Sequence, residues 1–537
     1  MPVLRSQIDP GSEGFQKHRA EMLALVGEVR ALEEKVRANS DRAADKFAAR
    51  GQLLPRERLA RLLDPGAPFL ELSSLAGLGM HEDDGDEGAT GGGNVIGVGF
   101  VSGVRCLVLA HDAGIKGGAI TPMGLKKSLR AQAIALENGL PTVSLVESAG
   151  ANLLLQSELF VDGGRVFCNM ARLSAAGIPQ LTVVHGSSTA GGAYIPGLSD
   201  YVIAVKERAR IFLAGPPLVQ AALGEVACEE QLGGADMHYE TSGTVEYLAR
   251  DDAHALALAR EVIAGLGWPA PGPAPAGYAE PLHSPDELCG VVPVDARQPY
   301  DAREVIARLV DGSEFLEFKA GFGRNTVCGH ARIHGYPVGI LANNGPLLPE
   351  CSVKCAQFIQ LCCQSGVALV YLQNTTGYMV GTAAEQGGAI KHGAKMIQAV
   401  SNASVPQLTL MIGGGYGAGN YGMCGRSFDP RFIFAWPNSK VAVMGGEQVA
   451  MVMKIITRAK MARQGVEVPD EQLEPMAAAL REQVDKEARA LFATARLWDD
   501  GIIDPRDSRR VLGFALATCH EAAARGLRPS TFGVARG

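Results

Sequence analysis

Two glycine-dense stretches hold the residues best suited to chemistry. The first is PQLTVVHGSSTAGGAYIPG, residues 179–197, and the second is PQLTLMIGGGYGAGNYGMCG, residues 406–425. Each reads as a buried apolar strand, then a glycine turn, then a helix start. Glycine lets the backbone approach an acceptor closely, and the first N–H groups of a helix carry partial positive charge. We expect each turn to bind an oxyanion, and the pair to stabilise two oxyanions in one reaction.

The second stretch repeats the first at a constant offset. Pro179 and Pro406 are 227 residues apart. The same offset relates four further pairs: Gly192 and Gly419, Gly150 and Gly377, Gly139 and Gly366, and Lys127 and Lys354. The constant spacing predicts an internal duplication with one glycine turn in each half.

Other chemistries find little support in the sequence. Residues 417–422 match G-x-G-x-x-G, but no acidic residue follows at the required strand end and the first copy breaks the pattern. No ATP P-loop and no G-x-S-x-G nucleophile elbow occurs, and the Asp, Glu and His positions show no metal-ligand spacing. Glu147 and Asp200 are candidate acids or bases, although each is more often a structural hydrogen-bond partner. The site is expected to use backbone donors, with its base supplied by a cofactor.

Length and composition bound the class of protein. A chain of 537 residues predicts two or more domains. A net charge of −7 argues against a nucleic-acid or anionic-membrane partner. The 11 cysteines show no disulfide or metal spacing and suggest reduced core cysteines. No signal peptide or 18-residue apolar span is visible, so we expect a cytoplasmic protein.

Apolar β-rich runs alternate with helical patterns, which predicts an α/β fold. A charged helix is expected over residues 13–50, an acidic, glycine-rich loop over 81–93, and a helical tail from about 446 to 525. Residues 268–287 contain six prolines and predict a stiff linker. The expected domains are therefore 1–267 and 288–537.

Eleven stretches between about residue 20 and residue 525 resemble one enzyme family. They are LLPRERLARLLDPG, KGG (116–118), ESAGAN, GSSTAGGAY, IFLAGPPLV, GGADMH, ARIHGYPVGILANNG, QFIQLCCQ, LQNTTGYMVG, GGGYGAGNYGMCGR and WPNSKVAVMGGEQVA. They resemble the carboxyltransferase β subunits of biotin-dependent acyl-CoA carboxylases, in the 3-methylcrotonyl-CoA/geranyl-CoA branch. The resemblance implies two tandem crotonase-like (ClpP/crotonase) ββα-superhelix domains, acyl-CoA in the first and biotin in the second.

The family's roles transfer to matching positions. The N–H groups of Gly191 and Gly192 would hold the thioester oxygen as its enolate forms, and those of Ala418 and Gly419 would hold the ureido oxygen of biotin. The other expected acyl-CoA residues are Ile120, Gly150, Ala151, Gly163, Gly164, Ala190 and Ala193. The other expected biotin residues are Thr376, Gly377, Tyr378, Gly417 and Asn420.

The resemblance also implies the cofactors and the assembly. Biotin would be carried covalently by a partner α subunit that uses ATP, Mg²⁺ and bicarbonate, since this sequence has no biotin-acceptor M-K-M and no ATP-grasp-like loop. Six β chains would form a core within an α6β6 complex, with each site where two chains meet. Carboxybiotin would release CO2, biotin would take a γ-proton, and the dienolate would attack CO2. Lys116, Lys126 and Lys127 are candidates for the CoA phosphates, or plain helix-surface charges.

The substrate prediction rests on two departures from the methylcrotonyl pattern. The loop after ESAGAN is about three residues shorter, and Gly163 stands where that branch has a large aromatic residue. Ile120 and Thr121 stand where the branch tends to have Tyr-Tyr. Removing an aromatic ring leaves volume for a longer acyl chain, which favours geranyl-CoA or a similar branched C10 acyl-CoA over 3-methylcrotonyl-CoA. Alternatively, the loop repacks and the pocket stays small.

Three rival functions make different predictions. A crotonase-type hydratase or isomerase would need catalytic glutamates and one domain. A biotin-dependent decarboxylase or transcarboxylase subunit would use the same chemistry in another assembly. A non-catalytic scaffold would tolerate bulky residues at Gly192 and Gly419.

Overall fold

The computed structural model describes residues 1–80, 88–269, 275, 277–295 and 298–535. The chain folds into two compact units. The N unit comprises Ala31–Pro273, Ala495–Leu497 and Thr518–Gly537, and the C unit comprises Met1–Arg30, Ala274–Thr494 and Trp498–Ala517. Each unit holds one large mixed sheet flanked by helices, so the expected α/β class is confirmed.

The sheet of the N unit has the order β1-β2-β3-β5-β7-β8-β10, with β9 paired to the end of β7. Strands β1 to β3 are antiparallel, and the pairs from β3 to β10 are parallel. Strands β4 and β6 form a separate parallel pair. The strands are β1 Leu70–Leu72, β2 Asn94–Val101, β3 Val104–His111, β4 Ala119–Ile120, β5 Thr142–Ser148, β6 Gly150–Ala151, β7 Gln180–Thr189, β8 Tyr201–Val205, β9 Arg210–Phe212 and β10 Tyr247–Ala249.

The sheet of the C unit repeats this order as β11-β12-β13-β14-β15-β16, with β17 paired to the end of β15. Its first two pairs are antiparallel and its later pairs parallel. The strands are β11 Leu316–Phe318, β12 Thr326–Ile333, β13 Tyr336–Asn343, β14 Ala368–Thr375, β15 Gln407–Tyr416, β16 Phe432–Ala435 and β17 Lys440–Ala442.

Helices cover the sheets and bury the continuous apolar runs of the parallel strands. In the N unit, for example, α3 and α10 pack on β2, β3 and β7 in one hydrophobic cluster. The helices up to the middle of the chain are α1 Glu13–Asp41, α2 Ala44–Ala49, α3 Pro55–Leu62, α4 Pro122–Asn138, α5 Gln156–Ala175, α6 Tyr194–Leu198, α7 Pro216–Leu223, α8 Glu229–Gly233, α9 Ala235–Glu240 and α10 Asp252–Gly265. The remaining helices are α11 Leu288–Val291, α12 Ala302–Leu309, α13 Pro349–Ser365, α14 Thr382–Gln386, α15 Ala389–Ser401, α16 Gly417–Gly422, α17 Gly446–Ala462, α18 Asp470–Glu487, α19 Ala490–Ala495 and α20 Ser508–Ala524.

The two halves repeat each other in backbone detail. The β5–β7 register shifts between Val146 and Ser148, and the β14–β15 register shifts 227 residues later, between Gln373 and Thr375. Gly139 and Gly366 both end their helices in the left-handed conformation. The carbonyls of the paired prolines 179 and 406 accept the N–H groups of residues 142 and 369, each at 2.9 Å. The two halves therefore share strand order, turns and local hydrogen bonds.

Three local expectations are corrected or lie partly outside the described residues. The helix expected over 13–50 is broken into α1 and α2. The segment expected to be a loop before Gly163 is helical, because α5 already begins at Gln156. Residues 81–87 of the expected acidic loop, and 270–274 and 276 of the expected linker, lie outside the described residues. The two domain ranges stay a prediction. In the structure, Met1–Arg30 belongs to the C unit and Thr518–Gly537 to the N unit.

Candidate functional site

The first glycine turn directly follows the carboxyl end of β7. Ala190 adopts a left-handed φ of 54°, which turns the chain out of the strand. Residues Ala190–Ala193 form a single 3₁₀ turn that leads into α6. Gly191 is exposed and Gly192 is buried. The N–H groups at the start of such a helical segment have no acceptor within the helix and are free for a ligand.

The second glycine turn has the same geometry in the C unit. Gly417, the counterpart of Ala190, has a φ of 53° and begins α16 at the end of β15. Ala418 is exposed and Gly419 is buried, as Gly191 and Gly192 are. The four residues expected to be catalytic therefore occupy equivalent positions in two equivalent turns.

The surroundings of the two turns differ in tightness. A Cβ atom at Gly419 would lie 2.8 Å from Gly377 Cα and 2.9 Å from Thr375 Cγ2. A Cβ atom at Gly192 would lie 3.5 Å from Ser148 Oγ, an ordinary contact. Only the second turn therefore needs glycine at this position for packing.

A cavity of about 630 Å³ opens beside the first turn in the N unit. Its wall includes five residues expected from the sequence: Ile120, Ala151, Gly163, Gly164 and Gly191. The β4–β6 pair brings Ile120 opposite Ala151, and α5 supplies both glycines. Phe167, which also lines the cavity, packs against Tyr194 just after the turn, with ring centroids 5.4 Å apart.

The remaining acyl-side residues lie around the turn itself. Gly150 has a φ of 88°, and its side-chain position faces the carbonyl of Thr189 at 3.2 Å. Ala190 is exposed and Ala193 is buried against the strands below. Thus the structure gathers all of the expected acyl-side residues around one turn and one cavity.

The expected biotin residues separate into two groups. Thr376 is exposed and Gly377 lies against the second turn. The Tyr378 ring packs between Gly393 and Gly422, while Asn420 packs between Gly415 and Gly425. The side chains of Tyr378 and Asn420 therefore pack against the backbone that flanks the second turn.

A buried ionic network joins β5 and β7 to helices α3 and α10. Arg58, only 1% exposed, places Nη1 2.9 Å from Glu147 Oε2 and Nε 3.1 Å from Asp252 Oδ2. His185 Nδ1 lies 2.8 Å from Asp252 Oδ1. Burial opposes ionisation of Asp252, but His185 and Arg58 lower its pKa to about 2. Within this network Glu147 is ion-paired with Arg58.

Asp200 has a structural role of the same kind. Its carboxylate accepts hydrogen bonds from Ser174 Oγ at 2.6 Å and from the Gln180 N–H at 2.8 Å. Neither of the two carboxylates considered from sequence is a free acid or base.

One lysine expected at the surface is buried. Lys127 Nζ donates to the carbonyls of Gly91 and Asn94 at 3.1 and 2.9 Å, and burial lowers its pKa to about 8. Lys354, its counterpart, donates to the Thr326 carbonyl at 2.7 Å. Lys127 therefore links α4 to the start of β2 through hydrogen bonds. Lys116 and Lys126 are exposed and remain the candidates for binding the CoA phosphates.

The described residues hold no group of three His, Cys, Asp or Glu side chains arranged to bind a metal ion. In the same residues, no helix combines the length and apolarity needed to cross a membrane.

Comparison with known proteins identifies the family. Residues 46–531 match the model of the carboxyl transferase domain. The chain belongs to the carboxyl transferase family. It is a carboxyltransferase β subunit of the biotin-dependent acyl-CoA carboxylases, and hence a subunit of an enzyme.

The carboxyltransferase is similar to proteins of one branch of this family. A probable biotin-dependent acyl-coenzyme A carboxylase β2 subunit of Mycobacterium tuberculosis is 49% identical and covers 99% of this chain and 100% of its own. A biotin-dependent 3-methylcrotonyl-coenzyme A carboxylase β1 subunit of the same organism is 50% identical over 90% of this chain and 91% of its own. The crystal structure of the Pseudomonas aeruginosa geranyl-CoA carboxylase β subunit is 56% identical, with a TM-score of 0.94 over 100% of both chains.

Several residues near the first turn and the cavity were not predicted from the sequence. Arg58 and Asp252 were not singled out because they lie far along the chain from the first turn, and His185 reads as part of the strand that leads into it. Asn94 and His111, both in the cavity wall, stand in strands that read as ordinary sheet. A polar residue at the end of an otherwise apolar strand was the available signal.

Proposed function

We propose that this carboxyltransferase transfers CO2 from carboxybiotin to the γ-carbon of a branched α,β-unsaturated C10 acyl-CoA, with geranyl-CoA as the favoured substrate. Its place in the degradation of acyclic terpenes follows from that substrate. The observation that carries the proposal is the pair Gly163 and Gly164 in the cavity wall.

These two glycines lie well inside α5, where glycine destabilises a helix by roughly 0.5–1 kcal/mol relative to alanine. A Cβ atom added at either position would have no neighbour within 4 Å, and neither residue has a positive φ. Local packing and backbone conformation therefore do not explain them. What they leave open is cavity volume, which suits a long acyl chain.

The first turn supplies the stabilisation that the reaction needs. The thioester oxygen becomes negatively charged when the γ-proton leaves, and the N–H groups of Gly191 and Gly192 would donate to it. A single donor of this type contributes about 3–4 kcal/mol in other enzymes. The apolar wall around the chain keeps water away from the dienolate carbon.

The second turn fits the ureido group of biotin. Ala418 is exposed, and a Cβ atom at Gly419 would meet Gly377 Cα at 2.8 Å, so this turn needs glycine at position 419. Biotin, when bound, supplies both the CO2 and the base. The role of the protein there is to hold the ureido oxygen with the N–H groups of Ala418 and Gly419.

Fold and assembly complete the proposal. We infer that each half is a crotonase-like ββα-superhelix domain, given the duplicated sheet order and the turn at the end of a central strand. The chain would act as a homohexamer with a biotin carboxylase/biotin carrier α subunit in an α6β6 complex. Light scattering of the co-expressed subunits tests the stoichiometry.

The second candidate substrate is 3-methylcrotonyl-CoA. The 50% identity to a β1 subunit named for that substrate favours it. A biotin-dependent decarboxylase or transcarboxylase remains the more distant alternative.

The test is bicarbonate fixation by the chain co-expressed with its α partner, on geranyl-CoA and on 3-methylcrotonyl-CoA. We expect a preference for geranyl-CoA that Gly163→Phe abolishes while 3-methylcrotonyl-CoA is still carboxylated. Gly163→Ala controls for loss of the glycine, and Gly265→Phe, an exposed helical glycine with open space, controls for the added ring. Activity on 3-methylcrotonyl-CoA alone would reject the C10 substrate, and fixation on neither would favour the decarboxylase alternative.

A further inference from the structure

A side-chain hydrogen bond spans the first glycine turn. Ser188, near the end of β7, donates its hydroxyl proton to the Gly192 carbonyl at 2.9 Å. Ser188 is fully buried and pairs with Ser148 of β5 in the sheet. The bond therefore joins the sheet to the far end of the turn, and the N–H groups of Gly191 and Gly192 lie in the segment that it closes.

The backbone that follows the turn cannot make this bond itself. In a continuous α-helix, the carbonyl of Gly192 would accept the N–H of residue 196. That residue is Pro196, inside α6, and proline has no N–H group. The N–H groups at the end of the 3₁₀ turn still bond the carbonyls of Gly191 and Gly192. A carbonyl oxygen has two lone pairs, and the Ser188 hydroxyl uses the one that the proline leaves open.

The second glycine turn makes the corresponding bond from its backbone. The counterpart of Pro196 is Met423, whose N–H donates to the Gly419 carbonyl at 3.1 Å. The counterpart of Ser188 is Gly415, which has no side chain that could donate. One half therefore combines a serine with a proline, and the other combines a glycine with a residue that keeps its N–H. In each half, one donor reaches the carbonyl at the same position.

The bond matters for the chemistry because the turn is built from flexible residues. Gly191 and Gly192 are consecutive, and glycine has the widest range of backbone conformations. Donors stabilise a developing oxyanion when they are already oriented toward it, and a misplacement of about 1 Å can slow a reaction about 100-fold. A bond that closes the segment restricts the directions in which both N–H groups can point.

We propose that Ser188 is a positioning residue of the acyl site. Its hydroxyl replaces the helical hydrogen bond that Pro196 cannot donate, and it thereby holds the N–H groups of Gly191 and Gly192 toward the enolate oxygen. The inference rests on the proposed function, which assigns the thioester oxygen to these two groups. Because the hydroxyl proton is directed to a carbonyl within the turn, Ser188 acts by orientation and not by proton transfer.

The test measures bicarbonate fixation by the complex of this chain with its α partner. The parameters kcat and KM are determined for geranyl-CoA and for 3-methylcrotonyl-CoA. Ser188→Ala should lower kcat about tenfold on each substrate that the wild type carboxylates, as expected for one lost neutral hydrogen bond. KM should change less than about threefold, because the bond acts on the transition state and not on binding of the thioester.

Pro196→Ala provides a rescue that a merely structural role would not predict. It places an N–H group four residues after Gly192, as in the second turn. In the double variant Ser188→Ala/Pro196→Ala, kcat should return to within about threefold of the value for Pro196→Ala alone, because the restored backbone donor replaces the lost hydroxyl. Should Ser188→Ala not fold, Ser188→Cys gives the same comparison, since a thiol is a weaker donor.

Ser313→Ala is the matched control for the loss of a buried hydroxyl. Ser313 is fully buried, and its Oγ donates to the Ala307 carbonyl at 2.6 Å, outside both turns. This variant should lower the midpoint of thermal denaturation and leave kcat within about twofold of the wild type.

Each outcome decides for or against the positioning role. An unchanged kcat in Ser188→Ala, or a rise in KM alone, would overturn it. So would a loss of kcat that Pro196→Ala does not restore, or one that Ser313→Ala reproduces. If the wild type carboxylates neither thioester, the proposed function is rejected, and amide hydrogen exchange of residues 189–195 decides whether Ser188 holds the turn. Faster exchange in Ser188→Ala that Pro196→Ala reverses would support that role, and unchanged exchange would reject it.

Discussion

Ala190 and Gly417 make the same backbone kink with different side chains. Their φ values of 54° and 53° lie in the left-handed region, which non-glycine residues rarely occupy. The kink directs the next N–H groups away from the strand in both halves. Ala190 keeps this conformation although it is strained for alanine. The backbone geometry of the turn is therefore common to both halves, whereas the residue type is not.

The neighbouring residues of the two turns should respond differently to a methyl group. We expect Gly419→Ala to lower the free energy of unfolding by about 1–3 kcal/mol, because its Cβ meets Gly377 Cα at 2.8 Å. Gly192→Ala should leave thermal stability nearly unchanged. Thermal denaturation of both variants checks this, and equal destabilisation would contradict the difference in packing.

Asp499 predicts a pH dependence of stability in the C unit. It is fully buried, Oδ1 accepts from Thr494 and from the Gly501 N–H, and burial raises its pKa to about 7. The folded state therefore binds a proton that the unfolded state releases between about pH 4 and 7, so this group makes stability fall as pH rises through that range.

Asp499→Asn should remove that contribution, which is about 1.4 kcal/mol for each unit of pKa shift. Relative to the wild type, the variant should gain stability steadily from pH 4 to 7 and show a constant difference above pH 7. Urea denaturation at several pH values measures it. A difference that does not change with pH would show that Asp499 has an ordinary pKa.

Among the secondary-structure elements, α5 is the one in which residues that widen the cavity also lower helix stability. Gly163 and Gly164 weaken the helix and widen the cavity at the same time. The sequence analysis placed Gly163 at the end of the loop after ESAGAN, whereas α5 already begins at Gln156. The helix continues through them, with apolar residues of its other face packed on α4 and α6.

Alanine at both positions should therefore stabilise the protein. We expect Gly163→Ala and Gly164→Ala each to add about 0.5–1 kcal/mol to the free energy of unfolding, because both Cβ positions are open. Denaturant unfolding curves give the change. A loss of stability would mean that these glycines are required by the backbone, which would remove the argument from cavity volume.

At the scale of the whole molecule, residues near the carboxyl terminus complete the N unit. Arg105 in β3 donates to both carboxylate oxygens of Glu521 in α20, at 2.8 and 2.7 Å, and both side chains are buried. Arg525 donates to Glu521 and to the Asn138 carbonyl. Residues of the carboxyl-terminal helix therefore pack as part of the N unit.

Glu521→Ala should be strongly destabilising, by about 3–5 kcal/mol, because it removes the buried carboxylate with which Arg105 and Arg525 pair. Arg510→Ala on the same helix is the control, since its pair with Asp507 is exposed and should contribute less than about 1 kcal/mol. Thermal denaturation compares them. Similar midpoints for the two variants would contradict the structural role of the carboxyl-terminal helix.

Patterns in the sequence were enough to predict the repeat, the α/β class, the two glycine turns and the family. Each depends on local patterns: a constant offset, apolar runs of strand length, and glycines where the backbone must turn. These patterns involve residues close together in the sequence or at a fixed spacing, so they can be recognised without knowing how the chain packs.

Tertiary structure alone decided which side chains meet. Arg58, Glu147, His185 and Asp252 converge from four distant segments, Lys127 turns inward to carbonyl groups, and Asn94 faces His111 across a strand pair. Burial, pKa and cavity shape arise from contacts between segments remote in the chain. No local pattern encodes those contacts, so the buried ionic network and the Asn94–His111 cross-strand pair arise only when the sheet and its helices are assembled.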